Sequence, residues 1–177
     1  MQLDIGGWQI RSWQPGDEAA LVRYANNRKI WLNLRDAFPH PYSEYDARTW
    51  VRFALAQDPE VNFAVASDKE AIGGISLHPQ NDVHWRSAGI GYWLAEPYWG
   101  QGIATKAVRA LTEYAFANFD LVRIFAEVFE WNPASARVLE KAGYTCEGRL
   151  RKSVTKDGKT IDKLVYAIIK DSVPDPL

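Results

Sequence analysis

Residues Gly91 to Asn118 read GYWLAEPYWGQGIATKAVRALTEYAFAN, and the run predicts a strand, a tight turn and a helix in succession. Gly91-Tyr92-Trp93-Leu94-Ala95 is apolar and aromatic, which suits a buried strand. Glu96-Pro97 ends it, because proline has no N–H to give a sheet ladder. Gly100 and Gly102 then flank Gln101. Beyond them Ile103, Ala107, Val108, Leu111 and Ala115 recur at helical spacing, with Lys106, Arg109 and Glu113 on another face. A glycine turn that opens a helix leaves several backbone N–H groups aimed at one spot, and the helix dipole adds partial positive charge there. Such a place suits a phosphate.

Three readings of this turn are open. Two glycines make a tight turn and nothing more in many chains. The spacing G-x-G-x-x-T also approaches a dinucleotide fingerprint, but the third glycine is missing and Pro97 intrudes two residues before the first. The third reading is the pyrophosphate of coenzyme A. Trp99-Gly100-Gln101-Gly102-Ile103-Ala104 resembles the acetyl-CoA signature of the GNAT superfamily of N-acetyltransferases, Q/R-x-x-G-x-G/A, with Trp99 in place of Gln or Arg. No Gly-Lys-Ser/Thr follows, which excludes a Walker A loop.

A chain of 177 residues suits one domain, here 1–177, with a core over about 8–170 and a frayed tail at 171–177. Hydrophobic residues make up 47%, a globular value. The net charge is −1, so no nucleic-acid partner is expected. Arg149, Arg151, Lys152, Lys156 and Lys159 cluster locally, as solvated surface or beside CoA phosphates. Cys146 is the single cysteine, which fits a reducing cytoplasm. There is no leader and no apolar run near 18 residues, so a soluble cytoplasmic protein with no membrane partner is expected. Eight tryptophans point to an aromatic-rich core or pocket.

Taken from the start, Trp8 to Trp13 alternates as a strand. Asp17 is placed to cap a helix running to about Asn26. Asn33 to Tyr42, NLRDAFPHPY, is a loop, since two prolines in ten residues suit neither helix nor central strand. Ser43 caps the next helix, with Asp46 completing a weak capping box, and Trp50, Phe53 and Ala54 are assigned to one face. Val61 to Ala66 and Ala71 to Leu77 form a hairpin. Ser87 to Ala95 leads into the glycine turn, and Leu121 to Phe129 is a further strand. Asn132-Pro133 opens a helix that Gly143 closes. Tyr144 to Thr155 and Thr160 to Ile169 are strands joined at Asp157-Gly158, a strong hairpin signal.

This order predicts an α/β (α+β) fold: a single, mixed but mostly antiparallel sheet of about seven strands flanked by about four helices. It matches the GNAT fold over roughly residues 8 to 170. The loop Asp36-Ala37-Phe38-Pro39-His40-Pro41-Tyr42 and the run Asn132 to Tyr144 look like the RimJ/RimL type, which acetylates N-terminal amines of ribosomal proteins. The resemblance implies acetyl-CoA as acyl donor and an amine acceptor, either a peptide N-terminus or a small amine. No metal is expected, and the chain would act as monomer or homodimer.

The resemblance also implies site residues. Trp99, Gly100, Gln101, Gly102, Ile103, Ala104 and Thr105 would hold the pyrophosphate. The backbone near Trp93 and Leu94 would meet the pantetheine and aim an N–H at the thioester oxygen. Asn132 would touch the CoA arm besides capping its helix. Ser135 would meet the CoA sulfur and assist its protonation as the catalytic residue. Many relatives use a tyrosine later in this helix as the acid, but Leu139 stands there. Asn33, Arg35, Phe38 and Tyr42 are expected to border the acceptor pocket, because loops over a rigid sheet carry specificity.

No base is legible. Relatives place a glutamate where Ala88-Gly89-Ile90-Gly91-Tyr92 has Gly89, and a second carboxylate about nineteen residues after Ser135 would fall near Val154. Glu127, Glu130, Asp36, His40 and His84 remain, each read as a surface or structural group. An acceptor α-amine, with a pKa of about 8, is roughly one-tenth neutral at pH 7, whereas a lysine amine at about 10.4 is almost fully charged. The missing base therefore leans toward an α-amine. A CoA-binding module with weak catalysis and a dinucleotide enzyme stay open as other classes.

Overall fold

The computed structural model describes residues 1–170; the expected fraying of 171–177 lies outside them. Strands Gln2–Asp4 (β1), Gln9–Ser12 (β2), Asn62–Ala66 (β3), Ala71–Pro79 (β4), Ser87–Leu94 (β5), Arg123–Phe129 (β6), Thr145–Lys156 (β7) and Lys159–Ile169 (β8) form one sheet. Its spatial order is β1-β2-β3-β4-β5-β6-β8-β7. Only β5 and β6 run parallel. The helices are Glu18–Ala25 (α1), Arg28–Trp31 (α2), Glu44–Leu55 (α3), Ile103–Asn118 (α4) and Pro133–Lys141 (α5).

Two elements escape a sequence reading. β1 is three residues long with mixed polarity, and it exists because it pairs with β2. α2 has four residues and starts where the Asn27 side chain accepts the Lys29 N–H at 2.8 Å. Asp17 does not cap α1 with its side chain. Its carboxylate instead takes both guanidinium nitrogens of Arg11, at 2.7 and 2.8 Å, and the Gln14 N–H at 2.9 Å. Ser43 and Asp46 do form a reciprocal capping box on α3.

Alternation along the strands sorts the core into two layers. Phe63, Val65, Ile75, Leu77, Ile90 and Leu94 pack against Ile103, Val108 and Leu111 of α4 and Leu139 of α5. The other face carries Trp13 and Ala64 against Ala20 and Leu21 of α1 and Ala47, Val51 and Ala54 of α3. Phe53 is not on that buried face. It is 50% exposed, because Val51 and Ala54 already fill the stripe. Each fully buried Leu or Ile contributes about 1.5–3 kcal/mol, so the α4 layer holds that helix firmly under β5. Among the described residues, no helix is long and apolar enough to cross a membrane.

The feature that makes a site is where pairing stops. β5 and β6 are registered only at Ser87–Arg123, Ala88–Ile124 and Gly89–Phe125. Past Gly89 the strands part, and a wedge opens between Ile90–Leu94 and Ala126–Phe129.

Candidate active site

Hydrogen-bond alternation shows what lines the wedge. Ala95 donates to Ile72 O at 2.8 Å, so by the antiparallel register Trp93, Gly91 and Gly89 exchange their backbone bonds with β4. The even-numbered residues face β6. There the N–H groups of Ile90, Tyr92 and Leu94 look into the gap with no opposing strand. Leu94 O is taken by the Trp99 indole N–H at 2.6 Å, which ties the strand end to the turn that follows. Of the two residues named from sequence, Leu94 directs its backbone N–H into the gap, while Trp93 presents its side chain to the α1/α3 face. Gly74 seats that indole: a Cβ there would lie 2.8 Å from Trp93 Nε1.

At the wide end of the wedge sits the turn before α4. Gly100 and Gly102 adopt φ of 77° and 76°, and a Cβ on either would meet nothing within 4 Å. No side chain caps α4 and its first turn holds no acid. The first helical bond runs from Lys106 N to Gly102 O, which leaves the N–H groups of Ile103, Ala104 and Thr105 without helical partners. This cradle fits an anionic pyrophosphate by open space and unspent donors. Gln101 turns back to Pro97 O. Lys29, and secondarily Asn27, bond to Glu96 and hold its carboxyl below the usual range, fastening α2 beside the turn.

Across the wedge, α5 begins. Asn132 Oδ1 accepts the Ser135 N–H at 3.2 Å and Pro133 takes the first helical position. Ser135 Oγ lies 2.8 Å from Tyr92 Oη, and Tyr92 also donates to the Ser135 carbonyl at 3.2 Å. Burial raises the Tyr92 hydroxyl above its ordinary pKa, so it stays protonated. The structure therefore brings Ser135 and Asn132 to the side of the wedge opposite the glycine turn. The partner of Ser135, Tyr92, was missed by sequence reasoning, because a tyrosine in an apolar strand gives no sign of what its hydroxyl touches.

The α1/α3 face of the wedge is walled by the loop between α2 and α3. Phe38 packs on Trp93 at 5.8 Å between ring centroids. Tyr42 is buried, at 5% exposure, and supports Phe38 at 5.1 Å rather than facing solvent. Asn33 donates to Lys29 O at 2.9 Å, yet its Oδ1 is buried without a partner. Arg35 is exposed. The β7–β8 hairpin closes over the loop: Lys156, 2% exposed, pairs with Asp36 at 2.6 Å and lies 3.6 Å over the Trp31 ring. Asp157 and Gly158 both have positive φ, the geometry of a two-residue hairpin turn. Arg149 pairs with Glu130 and Asp162, so the basic cluster of the sequence is partly spent on ion pairs.

The other acids and histidines considered from sequence are occupied or peripheral. Glu127 pairs with Lys163 at 2.7 Å, and Glu130 with Arg149. His40 stacks on Trp31 at 5.6 Å, and His84 lies in an exposed 3-10 turn. His78 carries no local signal of a site in the sequence. The expected strand stopped at Leu77, but β4 runs on to Pro79 and sets His78 directly opposite Gly89.

Residues 9–145 match the model of the acetyltransferase (GNAT) domain family. A domain with this sheet, this strand parting and this match belongs to the GNAT acetyltransferases, and so does this chain. It is 43% identical over 117 residues to the probable N-acetyltransferase YjcK of Bacillus subtilis (strain 168), covering 65% of each chain. It is 33% identical over 148 residues to the ribosomal-protein-serine acetyltransferase of Escherichia coli (strain K12), covering 81% of this chain and 82% of that one. The matched stretch spans 65% of YjcK and 57% of the B. subtilis relative YoaA. Among solved structures, an acetyltransferase of the GNAT family from Bacillus anthracis superposes with a TM-score of 0.83 at 25% identity, over 96% of this chain and 98% of that one. RimL, a ribosomal L7/L12 α-N-protein acetyltransferase in complex with coenzyme A, superposes at 0.84 with 24% identity over 97% and 99%, a likeness of fold.

Proposed function

We propose that this protein transfers the acetyl group of acetyl-CoA to a primary amine, with a peptide α-amine favoured over a lysine side chain. The transfer proceeds by direct attack in a ternary complex. The observation that carries this reading is the unpaired wedge between β5 and β6, with the α4 cradle at one end and Ser135 across it. Gly100 to Thr105 would hold the pyrophosphate. The Leu94 N–H, preset toward the gap, would polarise the thioester carbonyl, a term of about 3 kcal/mol for one well-placed donor. Ser135 would protonate the departing sulfur. The amine would enter from the loop side, between Asn33, Arg35 and Phe38, where the unpaired Asn33 oxygen suits an N–H donor.

We read residues 1–177 as one acetyltransferase domain with a free, exposed thiol at Cys146, suited to a reducing cytoplasm. A CoA-binding module with little catalysis is the second reading, favoured by the absence, among the described residues, of a free carboxylate on the lining of the wedge. One experiment separates the two. Acetyl-CoA binding is measured by calorimetry, and thiol release is followed with a panel of tetrapeptides and small primary amines. Binding with turnover supports the enzyme, binding without turnover on any amine supports the module, and no binding sinks both.

A further inference from the structure

Gly89 and Gly91 leave the loop-side face of β5 bare where it borders the wedge, and a side chain from the neighbouring strand fills that space. A Cβ built on Gly91 would lie 3.2 Å from His78 Nε2. A Cβ on Gly89 would lie 3.5 Å from His78 Cβ and 3.6 Å from Phe125 Cζ, so side chains of β4 and β6 flank that glycine at ordinary contact distance. The imidazole thus lies across two glycines with its Nε2 end toward the opening. Ser76 Oγ holds that nitrogen at 3.1 Å. From the geometry we infer that His78 is the general base that deprotonates the acceptor amine, reached from β4 because β5 carries no side chain there.

This inference rests on the acetyltransferase reading above. An ammonium acceptor loses two protons in the reaction. One passes to His78 Nε2 and leaves through the solvent-open imidazole. The N–C bond then forms, the C–S bond breaks with its electron pair on sulfur, and the second proton ends on the thiol. A base must be unprotonated to act. The strand-side packing of His78 and, secondarily, the Arg35 guanidinium lower its pKa, so the neutral form prevails at pH 7. Gly89 and Gly91 of β5 lie beside the His78 ring, Ser76 of its own strand bonds it, Phe125 of β6 flanks Gly89, and the charge that lowers its pKa is Arg35. A nearby cation also disfavours a charged acceptor and favours the neutral amine. The carboxylates named from sequence lack this position, since Glu127, Glu130 and Asp36 are each held in ion pairs.

The test uses His78→Gln and His78→Ala with the best tetrapeptide acceptor at saturating acetyl-CoA. His78→Gln is expected to keep acetyl-CoA affinity and to lose about 100-fold or more in kcat/KM, the range of general base catalysis. Added imidazole is expected to restore part of the rate to His78→Ala, since the glycines leave a slot for it. The inflection below 6.5 in the wild-type profile is expected to be lost in both variants, leaving the fall set by ionisation of the amine itself, at about 8 for an α-amine. A His78→Gln rate within about threefold of wild type overturns the inference and leaves the acetyltransferase reading intact. Rate loss with no imidazole rescue and an unchanged pH profile also overturns it, by making His78 structural. Failure of the wild-type protein to turn over any amine overturns the reading on which it rests.

Discussion

Replacing Ser135 by Ala removes one hydroxyl and leaves its surroundings in place, which makes its effect calculable. The Asn132 cap bonds to the Ser135 backbone N–H and survives. Tyr92 keeps its bond to the Ser135 carbonyl. What disappears is the 2.8 Å contact between Oγ and Tyr92 Oη, worth about 1 kcal/mol as a neutral hydrogen bond. Alanine is the better helix former, which returns up to roughly 0.5 kcal/mol. The net loss of stability should stay under about 1 kcal/mol, or roughly 2–4 °C in Tm for a chain of this size. Turnover should fall much further. Proton delivery by a positioned group contributes about 100- to 10,000-fold, and the low end applies because the N-terminal dipole of α5 also favours a thiolate. A 100-fold loss corresponds to about 2.7 kcal/mol of transition-state stabilisation. The assay is steady-state thiol release at saturating acetyl-CoA, with chemistry shown to be rate-limiting, beside a thermal melt and a calorimetric titration. A rate within about twofold of wild type would refute the reasoning and leave thiolate release to the backbone.

Other outcomes are equally specific. Gly102→Val should weaken CoA binding at least about tenfold by calorimetry, because a β-branched residue at φ 76° is strained by about 1–2 kcal/mol and points into the open cradle; unchanged affinity would place the pyrophosphate elsewhere. Arg35→Ala should shift preference among amines without changing CoA affinity, whereas Tyr42→Ala should cost roughly 3 kcal/mol in urea denaturation because Tyr42 is core. Leu139→Ala, with no exposed surface in the parent, should lose about 2–5 kcal/mol. His78 also links to pH: its folded pKa is depressed, so between that value and about 6.5 the unfolded chain binds more protons and stability rises with pH. His78→Gln should flatten this part of the stability curve, and an unchanged slope in chemical denaturation across pH would show that the native imidazole titrates normally.

Much of the molecule is written locally. The alternating apolar runs, the capping box at Ser43, the Asn132-Pro133 start and the Asp157-Gly158 turn rest on interactions between residues a few positions apart, so the sequence by itself determined that these elements exist and roughly where they lie, although β4 runs two residues past its expected end. The glycine turn at Gly100 and Gly102 was legible for the same reason: its positive φ and its empty helix N-terminus are properties of one segment. Tertiary structure decided what the segments do to one another. β8 inserts between β6 and β7, and β5 and β6 part after three pairs, because strand neighbours are chosen by packing and not by sequence distance. Tyr92 meets Ser135 across 43 positions. Lys156, read from sequence as part of a surface cluster, is buried over Trp31 by a hairpin that folds back onto the loop. His78 lies opposite Gly89 only once β4 and β5 are in register. The chain places a glycine where an acid was expected. It took the pairing of two strands to show which side chain the missing one makes room for.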